Sequence, residues 1–429
     1  MLLIWTFISL IVMLLIGFPI YLSLIGASIL YVLLNPGLSM MLVIQKVISA
    51  PNSFPLLAVP FFIFAGQMMN TGGVTKRIFR FAENLVGHFR GGLGYVNVLA
   101  SMIFAGMSGS ALADAGGLGL VEIKAMRDAG YNDDFAIGVT AASSLIGPII
   151  PPSIPFVIFG AMANVSIGGL FVGGLIPGVL MGLTLSIMIF IIAKRRDYPV
   201  SARRASLREL LISFKDSILA ILTPVIIIGG IWLGFFTPTE AAFVSIIYAL
   251  IVITFAYREF NVRDLPKLII ETIRMVAPSI MIVAGAAIFA WVLSYEKVDK
   301  AFMSLLFGLT TNKYVILLIM NVLLILIGCF VDIVAAIMIM LPILLPITTI
   351  IGVHPVQLGV IMVLNLMIGL LTPPVGMVLY ILASMTKKPF GEIVKMVIPW
   401  LIPLVIALLC ITFIPELVLF LPNLLGMAE

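Results

Sequence analysis

Between Leu2 and Leu34 the chain carries no charged residue, and this run is about twice the length of one membrane crossing. The Gly17-Phe-Pro19 break inside it predicts two short helices, 2–16 and 19–34. The same alternation of long apolar blocks and short polar connections places further crossings near 54–70, 133–163, 174–193, 216–236, 240–257, 275–293, 354–384 and 398–421. Two apolar stretches are interrupted at their centres, 92–126 at Met107-Ser-Gly-Ser-Ala111 and 312–351 at Gly328-Cys-Phe-Val-Asp332. Each reads as a re-entrant helical hairpin that enters and leaves on one side. The amphipathic segments 74–88 and 296–308 lead into these hairpins and read as interfacial arms.

Composition sharpens this picture. The 429 residues are 62% hydrophobic and 10% charged, too apolar for a soluble domain and matching a polytopic all-α membrane protein. The net charge of +5 points to topology rather than to nucleic acid, because the basic residues crowd short connections. Lys194, Arg195, Arg196, Arg203, Arg204, Arg208 and Lys215 share one loop, which the positive-inside rule makes cytoplasmic. Counting crossings outward puts Arg258 to Arg274, Lys387, Lys388 and Lys395 inside, with both termini and His354 outside. No Lys or Arg precedes Lys46, so the N-terminal run lacks a signal peptide's basic front and is expected to be retained. Cys329 and Cys410 sit in apolar blocks without metal-ligand spacing and predict neither disulfide nor zinc site.

The two halves repeat. Gly106 and Gly328, Gly147 and Gly369, Pro151 and Pro373, Pro152 and Pro374, and Ala161 and Ala383 are all 222 positions apart. Five crossings and one hairpin per half reverse the second copy in the membrane, an inverted-topology repeat of the kind that builds secondary transporters. Asp114 and Asp332 are 218 apart, so the alignment needs a gap across the tips.

Gly147-Pro-Ile-Ile-Pro-Pro152 and Gly369-Leu-Leu-Thr-Pro-Pro374 carry the chemistry. A proline pair removes two amide donors and clashes with the preceding turn, so the helix must open there and free its carbonyls. At membrane depth such backbone persists only when buried in protein or lining a wet cavity. Bare carbonyls suit a small hard cation, and Ser108, Ser110, Asp114, Asp332 and Thr372 add oxygens from the facing segments. We therefore expect two cation sites, each made by a hairpin tip and an unwound crossing. The competing reading is that Gly and Pro only kink packed helices and that Asp114 caps a half-helix. Asn365 either touches substrate or bonds a neighbouring helix, and Glu240 in Thr237-Pro-Thr-Glu240 reads as a helix cap. Gly106-Met-Ser108-Gly109 has the Gly-x-Ser-Gly form of rhomboid intramembrane proteases, but the only histidines, His88 and His354, fall on opposite sides, away from mid-depth. No enzyme is expected.

Phe54-Pro-Leu-Leu-Ala-Val-Pro-Phe-Phe62, Gly91-Gly-Leu-Gly94, Ser108-Gly-Ser110 with Ala113-Asp114, Gly130-Tyr131, Gly147 to Pro155 and Thr237-Pro-Thr-Glu-Ala-Ala242 together resemble the large membrane subunit of tripartite ATP-independent periplasmic (TRAP) transporters. The resemblance runs the whole chain and leans to the sialic acid branch with separate membrane subunits, with C4-dicarboxylate members sharing the motifs. It implies a bacterial inner-membrane protein with periplasmic termini that imports an organic acid with Na+, by an elevator mechanism and without an organic cofactor. Its implied partners are a four-helix small membrane subunit and a soluble periplasmic binding protein; nucleic acid is not among them. By motif, one sodium site would use Ser108, Gly147, Ile150 and Pro152 with Asp114 nearby. The other would use Gly328, Asp332, Gly369, Thr372 and Pro374, and Ser110 and Asn365 are substrate candidates. The implied domains are scaffold helices 1–73, a cytoplasmic arm 74–91, transport parts 92–165 and 312–386, scaffold helices 166–295, a periplasmic arm 296–311, and an arm with a last scaffold helix over 387–429. An autonomous sodium-coupled carboxylate carrier with the same hairpins and no soluble partner is the other transporter reading.

Overall fold

The computed structural model describes residues 2–198 and 204–427, so Arg203 lies outside the described residues. Among them there is no strand; the chain is a succession of α-helices broken where glycine, proline or a capping hydroxyl dictates. The first copy runs α1 (Leu2–Leu15), α2 (Ile20–Leu34), α3 (Met40–Ser49), α4 (Ala58–Thr71), α5 (Val74–Val86), α6 (Gly92–Ser108), α7 (Ala111–Gly116), α8 (Leu118–Asp128), α9 (Asp133–Ser144), α10 (Ile154–Ala163) and α11 (Ile167–Arg195). The second runs α12 (Leu207–Trp232), α13 (Pro238–Ile251), α14 (Leu265–Tyr295), α15 (Val298–Leu309), α16 (Lys313–Phe330), α17 (Ile333–Ile350), α18 (Pro355–Gly369), α19 (Met377–Thr386), α20 (Phe390–Val397), α21 (Leu401–Phe413) and α22 (Glu416–Leu424).

Shifting the first copy by 222 positions lays α5 on α15, α6 on α16, α7 with α8 on α17, and α9 with α10 on α18 with α19. The repeat read from glycines and prolines is thus a repeat of elements. The copies differ in how they handle breaks. Helices α3 and α4, separated at Pro51 to Ser53, correspond to the single long α14. Prolines at 177, 224 and 278 stay inside α11, α12 and α14, so these helices run further than their apolar blocks.

Local caps explain the boundaries. Ser206 and Glu209 form a capping box at the start of α12, and Thr237 and Glu240 form another at α13, which gives Glu240 the structural role read from its sequence. Among the described residues eight helices are long and apolar enough to cross a membrane, and shorter apolar helices lie between them.

Packing sorts the helices into two groups that also meet directly, where α14 rests on α17 and where α4 and α12 rest on α6. Helices α2, α4, α13 and α14 pack against one another, with α1 on α2 and α12 on α13. Helices α6 to α10 and α16 to α19 form the other group, with α6, α10 and α18 packed on α11, and α9 on α20. Helix α11, within the segment 166–295 expected to belong to the scaffold, rests on α6, α10, α18, α21 and α22 far more than on α12. Hydropathy assigns depth in a bilayer and says nothing about neighbours. The arms α5 and α15 bridge the groups. Arg77 on α5 pairs with Glu259 at 2.6 Å and covers the Tyr257 ring at 4.0 Å, beyond the end of α13. Glu296, just before α15, accepts a hydrogen bond from Tyr31 of α2 at 2.5 Å.

Candidate functional site

The first hairpin turns at Gly109, whose φ of 59° is left-handed, and the Pro152 carbonyl lies directly against its Cα. A side chain there would meet both constraints, so glycine is required. Ser110 then caps α7 by accepting from the Ala113 N–H at 3.4 Å, and Asp114 falls in the first turn of α7. Ser108 Oγ donates to Asp114 Oδ1, while Asp114 Oδ2 has no hydrogen-bond partner although the residue is only 2% exposed. That orphan oxygen faces the Cα of Gly147, where any Cβ would overlap it. The hairpin and the broken crossing therefore close on each other through one carboxylate.

The crossing opens between α9 and α10 as the proline spacing predicts. Residues 145–153 are buried except for the half-buried Ile150, and Ser153 Oγ folds back to the Pro148 carbonyl. The carbonyls of Gly147, Ile150 and Pro152 accept no hydrogen bond among the described residues, while the Ile150 side chain fills the space left by Gly178 of α11. Buried carbonyls left unpaired are costly. The broken crossing thus leaves carbonyls free in the segment whose Gly147 faces an unpaired carboxylate oxygen, and oxygens of these kinds are the ligands that hard cations take.

The second copy is built differently. Gly328 and Gly369 stand in backbone contact; a Cβ on Gly369 would lie 2.6 Å from Gly328 Cα and 2.9 Å from Cys329 N. The Gly369 carbonyl accepts the Thr372 N–H at 3.0 Å, and the Thr372 hydroxyl donates to the Ile368 carbonyl at 2.8 Å. Asp332 caps α17, accepting from the Val334 N–H at 2.9 Å, and Pro374 is exposed. So Gly328, Gly369 and Thr372 are brought together, while Asp332 reaches toward a cavity and no hydrogen bond among the described residues joins it to Thr372. The two oxygen sets are not equivalent, as the missing Ser-Gly-Ser in the second tip foreshadows.

That cavity, about 190 Å³, lies between the tips and the scaffold. Ser108 to Ala113 line it from the first tip, Asp332, Ile333 and Val334 from the second, and Gln67, Asn70, Met275 and Ser279 from α4 and α14. Ser110 is thus placed at the cavity. Asn365 is not: it is fully buried, its amide donating to Asn321 Oδ1 at 2.9 Å and to the Ile361 carbonyl at 2.7 Å. Of its two sequence readings, the bond to a neighbouring helix is the one seen. Sequence reasoning missed Gln67, Asn70 and Ser279, although Gln67 and Asn70, three apart on an apolar helix, were a readable signal. It also missed the buried Glu122. Neither histidine approaches Ser108: His354 caps α18 through its Nδ1, and His88 stacks on Phe89. Among the described residues no Lys or Arg lines the cavity.

The sequence model of the family described as "Tripartite ATP-independent periplasmic transporter, DctM component" matches residues 7–417. The chain belongs to this family. It is 44% identical over 408 residues to the sialic acid TRAP transporter large permease protein SiaM of Vibrio cholerae, covering 95% of each chain. It is 40% identical to the C4-dicarboxylate TRAP transporter large permease protein DctM of Pseudomonas aeruginosa, over 89% of this chain and 90% of that one. Among solved structures it is similar to the YdaH transporter of Alcanivorax borkumensis, with a TM-score of 0.60 over 86% of both chains at 15% identity, a likeness of fold. This DctM-family permease is therefore a multi-pass membrane component of a TRAP transporter, built to work with the other components of a tripartite system.

Proposed function

We propose that this permease imports an organic acid together with Na+, receiving it from a soluble periplasmic protein and moving it by sliding the hairpin-bearing helix group against the scaffold. The observation that carries this reading is the Asp114 oxygen, buried without a partner against the Gly147 turn and its unbonded carbonyls. A sodium ion there would satisfy the carboxylate and the carbonyls at once. The cavity beside it carries Asp332 and no basic residue, so a bound cation and tip hydroxyls such as Ser110 would meet a substrate carboxylate. In the second copy, Gly328, Asp332, Gly369, Thr372 and Pro374 would hold a second sodium ion with a different ligand set. Sialic acid is the favoured substrate, since SiaM of Vibrio cholerae is more similar to this chain than is the C4-dicarboxylate protein.

The division into two packed groups bridged by α5 and α15 supports an elevator movement. Arg77 with Glu259, and Tyr31 with Glu296, fix one end of each arm to the scaffold. A four-helix small membrane subunit would complete the scaffold in the inner membrane, with both termini of this chain periplasmic. Proteoliposomes holding the chain and its small subunit test the reading. Under an inward sodium gradient they should take up little substrate until the cognate binding protein is added. Strong uptake by the chain alone would overturn it in favour of an autonomous sodium-coupled carboxylate carrier.

A further inference from the structure

Glu122 on α8 is the one buried glutamate among the described residues, at 1% exposure, and the transport reading makes no use of it. Asn97 of α6 donates one amide N–H to Glu122 Oε2 at 2.7 Å and another to Thr140 Oγ1 of α9 at 2.7 Å. Ser143 Oγ donates to Asn97 Oδ1 at 2.6 Å, which sets the direction of that amide. Glu122 Oε1 has no hydrogen-bond partner among the described residues. The fold itself does not require an acid here, because the position 222 residues later, in the same place in the second copy, is Leu344.

No cation faces this carboxyl. On α8, Lys124 and Arg127 are exposed, and Arg127 pairs with Asp133 at 2.6 Å. On α9, Asp133 also meets Lys388, and Asp134 pairs with Arg196. Helix α6 bears no charged residue and Tyr95 as its only titratable one, Tyr131 lies in the α8–α9 turn, and α7 offers only the like-charged Asp114. An ionised carboxylate buried this way carries a desolvation penalty that the single Asn97 hydrogen bond leaves largely uncompensated. A sodium ion would meet the N–H that Asn97 turns toward the acid. A proton removes the charge, needs no shell of ligands, and leaves the Asn97 bond to Oε2 intact.

We propose that Glu122 is a proton-binding site inside the hairpin-bearing helix group. It holds a proton while α6, α8 and α9 are packed, and loss of that proton at alkaline pH loosens this packing and slows transport. The inference stands apart from sodium coupling, because its first test needs no transport. The full chain, made by cell-free synthesis with glutamate carrying 13C at its side-chain carboxyl, is compared with unlabelled protein by infrared spectroscopy near neutral pH. The expected result is a protonated-carboxyl band that shifts with the label, which singles out Glu122 because no other glutamate among the described residues is buried. Absence of a label-sensitive band would overturn the proposal. In proteoliposomes, wild-type uptake should fall at alkaline pH and that of Glu122→Gln, which mimics the protonated acid, should not; a wild type without the fall, or a variant that keeps it, would count against the proposal.

Discussion

Substituting Gly147→Ala tests the first oxygen set at its tightest point. The new methyl group would overlap Asp114 Oδ2, with Asp114 Cγ at 3.1 Å and the Ser144 carbonyl oxygen at 3.4 Å. The backbone leaves the alanine itself unstrained, since Gly147 is not among the glycines with positive φ. What must give is the end of a side chain: the carboxylate swings away, loses its bond from Ser108, and leaves the Gly147, Ile150 and Pro152 carbonyls without it. A hydrogen bond or ligand contact to a charged group is worth about 1.5–3 kcal/mol. At about 1.4 kcal/mol per tenfold, the half-saturating sodium concentration should rise roughly ten- to hundredfold. Loss of the Ser108 bond should also lower the melting temperature, so the sodium curve is the readout that is specific to the cation reading. The assay is uptake against sodium concentration in proteoliposomes, with a melting curve on the same preparation. A normally expressed variant with a wild-type sodium curve would refute the cation reading of Asp114 and the Gly147 turn.

Three further outcomes follow from the geometry. Gly369→Ala meets backbone atoms of Gly328 and Cys329 instead of a mobile side chain, so it should cost about 1–3 kcal/mol of stability and lower the melting temperature; an unchanged melting curve would show that the second hairpin yields. Asp332→Ala should weaken the sodium response and also remove the cap of α17, costing about 1 kcal/mol of stability, so a variant that melts normally and keeps its sodium curve contradicts both roles. In a background lacking Cys329 and Cys410, a cysteine at position 354 should label from outside intact cells and cysteines at 208 and 388 should not. Ready outside labelling at 208 would reverse the assigned topology.

Local signals made the breaks legible and left the assembly hidden. The proline pairs, the Ser108-Gly-Ser110 tip and the Gly17-Phe-Pro19 break act within a few residues through missing amides and free φ, and the helices end where those residues predict. Helices α5 and α15 were readable because amphipathic periodicity is a local signal. Partners across the bundle were not. Nothing in the Asn365 neighbourhood of the sequence announces Asn321, 44 positions away, and nothing in α11 tells that it rests on the hairpins. Glu122 escaped notice because it sits in a helix whose exposed face carries Lys124, Arg127 and Asp128, so it reads as one more charge at the hairpin mouth. Its burial depends on Asn97 and Thr140, which arrive from other helices.

Sodium coupling through these broken crossings is tested most directly by following radioactive sodium and labelled substrate into the same proteoliposomes, with the small subunit and binding protein present. The account predicts that both enter together in a fixed ratio and that replacing sodium by potassium stops substrate entry. An inside-negative potential should favour uptake, at about 2.3 kcal/mol per net charge per 100 mV, if more sodium charge than substrate charge moves inward. Undiminished substrate entry with no accompanying sodium would contradict it.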